Sequence, residues 1–483
     1  MAFKHVLKST LEPKIPLKEM AIWNDTNEGE PPKEGFAYTS SSSKYNNKER
    51  TGSGAPLVQI NEYTIPDHEI ETMILDETGF IPKITVIFED SSEHFGPVQF
   101  PNRNPILSLY IKSTHEKMKP IRNDYIITSI KGSETKVIKG ELFIPGIYTN
   151  ISKSYGEVTS NEALFKVCED LGLGFQSNET SPNDAMKWVN PNWNSADFMK
   201  HLIRHAYQDD QTFFDAFIDK YYHLNYIDAN IQLEQDGEFD NTIYAGSQDF
   251  NMSESRQTEY SKQVGVIESG LIGHPKIKSG ANTIREKHLM TENGEVLIKD
   301  GFRKRIYYYD YFSEEEDPTD NLLDFYVQPI VSNNKILREK SLEPTNTQLK
   351  DTEIRKWVNI QYKNTHSNYV AAKVINSHNL NELKKIRLKV TTAGINVNST
   401  RGMRIPVGIY DSAAEAVNMK LTEPEASKET KLRNVNMPDS EVYNEFLSGI
   451  YYSTGCRYIY DSMVGFTTEL VLSKRDWVPN PEI

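Results

Sequence analysis

After residue 56 the chain falls into short stretches in which every second position is apolar. Val58 and Ile60, then Ile70, Thr72 and Ile74, then Ile84, Val86 and Phe88 line one side, while Lys83, Thr85 and Glu89 take the other. A period of two puts alternate side chains on opposite faces of a strand, so these stretches predict sheet. Pro56, Pro66, Gly79 and Pro82 punctuate them. The series continues through 107–111, 125–130 and 137–144 and stops at Pro145-Gly146, which predicts a first sheet of about six strands.

The period then changes. Leu164, Val167, Cys168 and Leu171 stand at i, i+3, i+4 and i+7, the spacing of one helix face. Thr159 and Glu162 form a capping-box pair before them, and Gly172 supplies the stop. A second helix is expected from Ser195 to Tyr207, with Met199, Leu202, Ile203 and Ala206 on one side. The next segment, TFFDAFIDKYY, fits two patterns: Phe214, Phe217, Ile218 and Tyr221 suit a helix, whereas Phe213, Asp215, Phe217 and Asp219 alternate like a strand. Helix is the reading adopted there, with strand resuming from Leu224 to Leu233.

Other regions are set apart by composition. Residues 24–56 hold Pro31-Pro32, a serine run and Gly52-Ser53-Gly54, the signature of an extended arm or disordered loop. From 235 to 350 the chain is polar and loop-rich, with strands expected at 264–267, 295–298 and 325–330 and a solvated acidic loop at 313–318. Strands return at 357–362, 368–375, 386–390 and 403–410, and residues 412–440 form a polar insertion. A hairpin of 446–460 and 466–473 closes the chain. DYIITSI followed by GELFI in the first sheet region has an echo in GIYYSTGCRYIYD followed by TTELVLS in the last. A duplicated domain and a chance match of two alternating strands both fit that echo.

The 483 residues exceed what one core organises, so about three domains are expected. Aromatic residues make up 11% of the chain, enough burial surface to exclude disorder throughout. Cys168 and Cys456 cannot make a disulfide framework and are read as reduced, buried thiols. No uninterrupted apolar segment follows Met1 and none elsewhere has the length of a membrane span, so neither signal-peptide secretion nor membrane insertion is expected. Three glycosylation sequons, at Asn150, Asn178 and Asn398, therefore carry no chemistry. A net charge of −14 argues against tight binding of a nucleic-acid backbone, which needs clustered lysine and arginine.

Candidate chemistry is sparse. His201 and His205 share a helix face at i and i+4 with Asp197 one turn earlier, but Leu202 stands where a zincin needs its glutamate, so a polar helix flank is the simpler reading. The glycines at 52, 54 and 132 lack the Lys-Ser or Lys-Thr of a phosphate loop. No serine is flanked as in a nucleophile elbow, and Cys168 sits at a helix core position. Carboxylates are plentiful enough for a glycosidase pair, a matter only their spatial separation decides. Arg303-Lys304-Arg305 precedes Ile306 and the run Tyr307 to Phe312, which suits base stacking or, more simply, an aromatic strand at a subunit boundary. No catalytic, cofactor-binding or metal-binding residue is assigned.

The order of elements resembles the baseplate hub proteins of contractile-tailed phages, the T-even hub subunit and its VgrG relatives. The block ETMILDETGFIPKITVIFED with NDYIITSIKG and GELFIPGIY resembles that family's first tube-type barrel. SNEALFKVCEDLGLGF, Trp188, Trp193 and SADFMKHLIRHAYQDDQTFFDAFIDKYYHLNYID resemble its helical connector. LKKIRLKVTTAGINVNSTRGMRIPVGIY and FLSGIYYSTGCRYIYDSMVGFTTELVLSKRDW resemble the closing strands of its second barrel.

The resemblance implies an α+β, predominantly β chain: two tube-protein-like β-barrel domains with a helical connector and polar insertions. The expected division is an extended arm over 1–56, partly disordered, a first barrel over 57–150 and a helical connector over 151–235. A loop-rich β region over 236–350, part of or between the barrels, and a second barrel over 351–483 with its insertion at 412–440 complete it. The arm and the insertion depart from the family pattern, and the short tail after the last strand leaves no room for a fused lytic or spike domain.

The implied function is structural and not enzymatic, with no cofactor. A homotrimer would adapt a six-fold tail tube above to a three-fold central spike below, contact other baseplate (wedge) proteins, and line a channel through which DNA passes without specific binding. The expected location is the virion tail baseplate, after synthesis in the host cytoplasm. Two other classes compete: a tail-associated cell-wall hydrolase using the carboxylates and the His201/His205 pair, and a carbohydrate or receptor-binding tail module using surface tyrosines.

Overall fold

A computed structural model describes residues 5–11, 55–61, 63–90, 95, 105–111, 121–179, 182–209, 212, 214–234, 267–269, 283–291, 303–310, 322–325, 354–361, 365, 366, 368, 369, 372, 373, 375–377, 383, 386–393, 400–408 and 449–474. The first strands are β1 (His5–Leu7), β2 (Leu57–Ile60), β3 (Tyr63–Ile65), β4 (Ile70–Asp76), β5 (Lys83–Glu89), β6 (Ile106–Ile111), β7 (Ile121–Lys131) and β8 (Thr135–Leu142). Next come β9 (Asn150–Val158), helix α1 (Ser160–Leu171), β10 (Gly174–Ser177), β11 (Met186–Asn194), helix α2 (Ser195–His205), β12 (Phe214–Ile218), β13 (His223–Asp228) and helix α3 (Ala229–Glu234). The remainder holds β14 (Ile267–Ser269), β15 (Thr283–Thr291), β16 (Arg303–Asp310), β17 (Leu322–Phe325), β18 (Ile354–Gln361), β19 (Ile386–Ala393), β20 (Arg404–Gly408), β21 (Gly449–Asp461) and β22 (Gly465–Ser473). The chain is thus predominantly β with a few short helices.

Thirteen strands form one sheet in the order β20-β14-β15-β19-β22-β21-β4-β5-β8-β7-β6-β2-β3. Within it one pattern occurs twice. The run β4-β5-β8-β7-β6 and the run β15-β19-β22-β21-β20 are each antiparallel throughout, and each takes five strands successive in the sheet in the spatial order first, second, fifth, fourth, third. The fourth strand is irregular against the fifth in both, between Ile127 and Ser129 in β7 and between Ser453 and Gly455 in β21. In the later unit, β14 pairs with both β15 and β20, so the pairings form a closed circuit of six strands. In the earlier unit, β3 lies at the far end of the sheet yet leads through residues 66–69 into β4. Tyr63 of β3 meets Phe95 at 5.3 Å and Phe95 meets Phe88 of β5 at 5.4 Å between ring centroids, so this part of the sheet curls round its own core.

The two units join through β21 and β4, which run antiparallel from Arg457↔Asp76 to Asp461↔Thr72. One apolar core then extends from Val58 and Phe88 through Leu164, Phe175 and Leu202 to Val390 and Leu472.

The middle of the chain sits against this sheet. Helix α1 forms as its caps dictate: Thr159 accepts from the Glu162 amide, the Glu162 carboxylate accepts from the Thr159 amide, and Gly172 closes the helix at φ 72°. Ala163, Leu164, Val167, Cys168 and Leu171 face the core. Strand β10 pairs with β1 on one side and β13 on the other, and β12 flanks β13. The arm is therefore docked at its start: β1 extends this sheet, and the Thr10 amide donates to the Gly172 carbonyl at 2.9 Å. A Cβ on Gly172 would stand 2.7 Å from Thr10 Oγ1, so glycine there serves both the left-handed cap and the seat of the arm.

Three expectations need correction. The segment around 214–218 is strand β12, not helix. Its apolar spacing imitates a helix because Asp215, on the same face as Phe217, is buried, and Arg401 reaches both residues. The strand expected from Leu224 to Leu233 ends at Asp228, and α3 follows. In place of a strand over 368–375, the described residues Tyr369, Ala372, Lys373 and Ile375 are helical, with the Ala372 amide donating to the Asn368 carbonyl at 2.8 Å. Among the described residues of this stretch Tyr369, Ala372 and Ile375 are buried, a three-residue spacing that overrides the β-branched composition. The connector also contains a ribbon of β9 and β11 that periodicity did not indicate. The strand expected at 295–298, the acidic loop 313–318, the insertion 412–440 and residues 24–54 of the arm lie outside the described residues.

Candidate functional site

Where β4 ends, its sheet meets the connector and the late strands at a buried polar junction. Glu77 follows β4 directly, and its amide donates to the Cys456 carbonyl of β21 at 2.9 Å. Its carboxylate accepts from the Lys220 amide at 2.8 Å and from Lys220 Nζ at 3.2 Å. Lys220 Nζ also donates to the Tyr458 hydroxyl at 3.0 Å and lies 4.8 Å from the Tyr458 ring centroid. Burial is the strongest single effect and works against the Lys220 ammonium, but Glu77, then Tyr221, Cys456 and Asp219, together outweigh burial and hold the lysine above its ordinary pKa.

A second pair stands beside the first. Arg401 Nη2 donates to Asp215 Oδ1 at 2.8 Å, and Tyr452 donates its hydroxyl proton to Asp215 Oδ2 at 3.1 Å. Arg401 Nη1 donates to the carbonyls of Glu77 at 3.2 Å and Gly79 at 2.5 Å, and the guanidinium covers the Phe217 ring at 4.4 Å. Both carboxylates and both cations are buried. Each charge has an opposite partner and further hydrogen bonds, the condition under which ions are retained in a core. Chemically the arrangement clamps three sequence regions together, and a fork on Asp215 plus two backbone carbonyls sets the angle at which they meet.

The sheet seam continues the clamp outward. Arg457 Nε donates to Asp76 Oδ2 at 3.0 Å across the β21–β4 pairing, and its Nη1 donates to Glu469 of β22 at 3.1 Å. Lys389 of β19 pairs with the same Glu469 at 2.7 Å. Three strands of the later unit are thus tied by charge to the first strand of the earlier one.

His201 and His205 lie elsewhere, on the face of α2 that receives the helical residues after 368. The His205 ring stacks on Tyr369 at 4.0 Å with 8° between planes, and its Nδ1 meets the Tyr369 carbonyl at 3.0 Å. His366 Nε2 meets the His205 carbonyl at 3.0 Å, Trp193 packs against His201 at 5.1 Å, and Asn376 donates to the Ala206 carbonyl at 2.7 Å. Burial lowers His201 to about 4; burial and then the neighbouring His201 lower His205 to about 3, so both are neutral packing groups at pH 7. The pair is a seat for a helix, more buried than the polar flank its spacing suggested, and among the described residues no group of three or more histidine, cysteine or acidic side chains is arranged to hold a metal.

A third polar knot ties the connector to itself. Asp184 accepts from the amides of Ser160 and Tyr207, each at 3.0 Å, so it joins the start of α1 to the end of α2. Asn178 and Asp228 exchange backbone and side-chain bonds at 3.0 and 2.7 Å. Between them Glu179 is buried, and burial followed by the Asp184 carboxylate pushes its carboxyl up to about 8.

Cys168 and Cys456 are free and buried, the state expected of them. Burial raises both thiols, Cys456 to about 12, which makes them packing groups and not nucleophiles. Arg303 to Asp310 form β16, between β17 and β18. Glu77, Asp215, Lys220 and Arg401 were not singled out in the sequence. The available signal was Asp215, Asp219 and Lys220 inside the aromatic-rich segment TFFDAFIDKYY, charges that a core admits only with partners.

No protein-family model matches the sequence, and no curated protein matches it. In structure the chain is similar to phage tail proteins and VgrG-containing assemblies. The tail protein from Neisseria meningitidis MC58 aligns over 88% of this chain and 97% of its own, at 11% identity and a TM-score of 0.46. The 43 kDa tail protein of prophage MuSo2 from Shewanella oneidensis aligns over 86% and 97%, at 8% identity and a TM-score of 0.46. The E. coli c3393 protein, a type VI secretion component, aligns over 88% and 77%, at 8% identity and a TM-score of 0.37.

Proposed function

We propose that the chain is a structural hub of a contractile tail baseplate, a homotrimer that adapts a six-fold tube to a three-fold spike and surrounds the path of the DNA. The observation that carries this reading is the five-strand unit occurring twice with one topology, its copies joined by β21 and β4. Two like units per chain, arranged three times about an axis, present six near-equivalent positions to one neighbour and three identical chains to another.

The seam gives the rule by which such a ring closes. Inside the chain, the fourth strand of the later unit pairs with the first strand of the earlier unit. The corresponding edges are the β6-facing side of β7 beyond Ile127 and the β14-facing side of β15 beyond Ile284, neither of which takes a further strand on that side among the described residues. Joining β7 of one copy to β15 of the next repeats the internal seam and continues the sheet around the axis. The match is approximate, because β7 ends at Lys131 whereas β21 runs on to Asp461. A heterologous contact of this kind closes when its rotation does, and closure removes exposed strand edges.

On this reading 57–150 and 351–483 are the cores of the two barrels, with 236–350 contributing β15 to the second and 151–235 acting as the connector that the buried ion pairs hold in place. The work is mechanical and needs no catalytic residue or cofactor. A net charge of −14 also suits a channel that DNA must traverse without adhering. Sedimentation of the purified chain tests the proposal: a mass of three chains, or a multiple of three, supports it, and a monomer at every concentration overturns it.

A further inference from the structure

The sheet β17-β16-β18 belongs to neither five-strand unit, and its register brings together charges that are far apart in sequence. β16 runs parallel to β18, with Arg303 beside Ile354, Lys304 beside Arg355 and Arg305 beside Lys356. Three successive rungs therefore hold five cationic residues from two segments about 50 positions apart. On the other side of β16, β17 places Phe325 beside Lys304 and Asp324 beside Arg305, so one acidic residue stands in register with these five. Like charges side by side weaken a strand pairing. Two adjacent rungs of that kind are an arrangement that an anion laid along the sheet relieves.

The positions that follow decide the kind of anion. Alternate residues of a strand share a face, and neighbours in register share it too. Arg303, Arg305, Tyr307 and Tyr309 thus fall on one face of β16, together with Lys356 of β18. Lys304 and Tyr308 fall on the other, together with Arg355 and Trp357. On each face the cations come first and the aromatic residues follow along the same line. An acidic peptide needs the cations alone. An extended nucleic-acid strand carries phosphates and unstacked bases in one chain, and cations interleaved with aromatic residues are the composition that holds it. A duplex keeps its bases stacked on one another and leaves the aromatic positions unused.

We infer that Arg303, Lys304 and Arg305 of β16 and Arg355 and Lys356 of β18 form a stripe that binds single-stranded nucleic acid, phosphates along the cations and bases along Tyr307 and Tyr309. A net charge of −14 by itself argues against such binding for want of clustered lysine and arginine, and the strand register supplies that cluster. The stripe is one local grip, reading no sequence, in a chain whose remaining charge repels phosphate. It does not depend on the hub reading, since it lies within one chain.

Fluorescence anisotropy of the purified full chain with a labelled oligothymidylate tests it. Binding is expected at about 50 mM salt, with log affinity falling against log salt at a slope of roughly −3.5, five phosphates each contributing about 0.7. Arg305→Glu with Lys356→Glu should weaken binding at least roughly 10-fold and flatten that slope. Tyr307→Ala with Tyr309→Ala should weaken it by about 10-fold and leave the slope as it is, because stacking releases no counterions. Lys83→Glu with Lys139→Glu, which makes the same change in net charge at exposed positions of the first unit, should leave affinity within about two-fold. Three wild-type results overturn the inference without any variant having to fold: no binding at low salt, equal binding of a duplex of the same length, or equal binding of labelled polyglutamate. Equal losses in the stripe variant and the Lys83/Lys139 variant overturn it as well. The sedimenting mass of the same samples decides the hub reading separately.

Discussion

Lys220 and Glu77 are 143 positions apart in sequence, yet the lysine gives its backbone amide to one carboxylate oxygen of Glu77 at 2.8 Å and its ammonium to the other at 3.2 Å. The backbone bond fixes where the carboxylate sits before the charges meet, so the ion pair does not have to order two free side chains. Together with Arg401 and Asp215 it ties the end of β4 to the connector and the late strands.

Breaking this pair on one side should be far worse than removing it. Lys220→Met leaves a buried carboxylate without its ammonium and is expected to cost about 3–5 kcal/mol. Lys220→Met combined with Glu77→Leu should recover most of that, leaving the loss of the Lys220 amide bond. Urea denaturation of Lys220→Met, Glu77→Leu and the double variant gives the coupling directly, and additive single effects would count against a paired buried site.

Stability should fall between pH 6.5 and 8, and Glu179 is the reason. Its folded pKa, about 8, lies above the ordinary carboxyl value, so the folded chain holds a proton that the unfolded chain has already released. The stability it contributes is complete below the unfolded value and declines as pH rises toward the folded one, by a few kcal/mol in all. Glu179→Gln should flatten the melting temperature over that window, measured by calorimetry in steps of half a pH unit.

Acid should act on a different place. His201 and His205 have folded pKa values of about 4 and 3, below the unfolded imidazole, so the unfolded chain takes up protons first as pH falls below about 6.5. Stability is lost from there down to about pH 3, and the profile has its maximum near pH 6.5. The loss concerns the contact of α2 with Tyr369 and His366, and His205→Gln should weaken the acid limb. Hydrogen exchange of the α2 amides at pH 5 and 7 reads this, with lower protection at pH 5 expected in the wild type once the slower intrinsic exchange in acid is divided out.

Gly172→Ala should release the arm. The substitution strains a residue at φ 72° and drives its Cβ against Thr10, at about 1 kcal/mol for the cap alone. Limited proteolysis should then cut after residue 11 sooner than in the wild type. Thr10→Ala, which removes only the clash partner and one weak side-chain bond, should leave the arm in place.

The alternation of apolar residues determined most strands of the first sheet and the closing hairpin, since a period of two is a local property that needs no partner to be read. The same holds for α1, where Thr159, Glu162 and Gly172 mark both ends through bonds to their own backbone. Local pattern failed where a residue's burial depends on something distant. Asp215 is core only because Arg401 reaches it, so β12 read as a helix; the residues after 368 turn helical where they pack on α2, and β9 and β11 are strands by pairing with each other. Above all, the seam of β21 with β4 joins segments about 380 positions apart, and such a choice among exposed strand edges is made by complementary pairing and by Arg457 finding Asp76. Periodicity says which face of a strand is buried, and it is silent on which strand lies alongside.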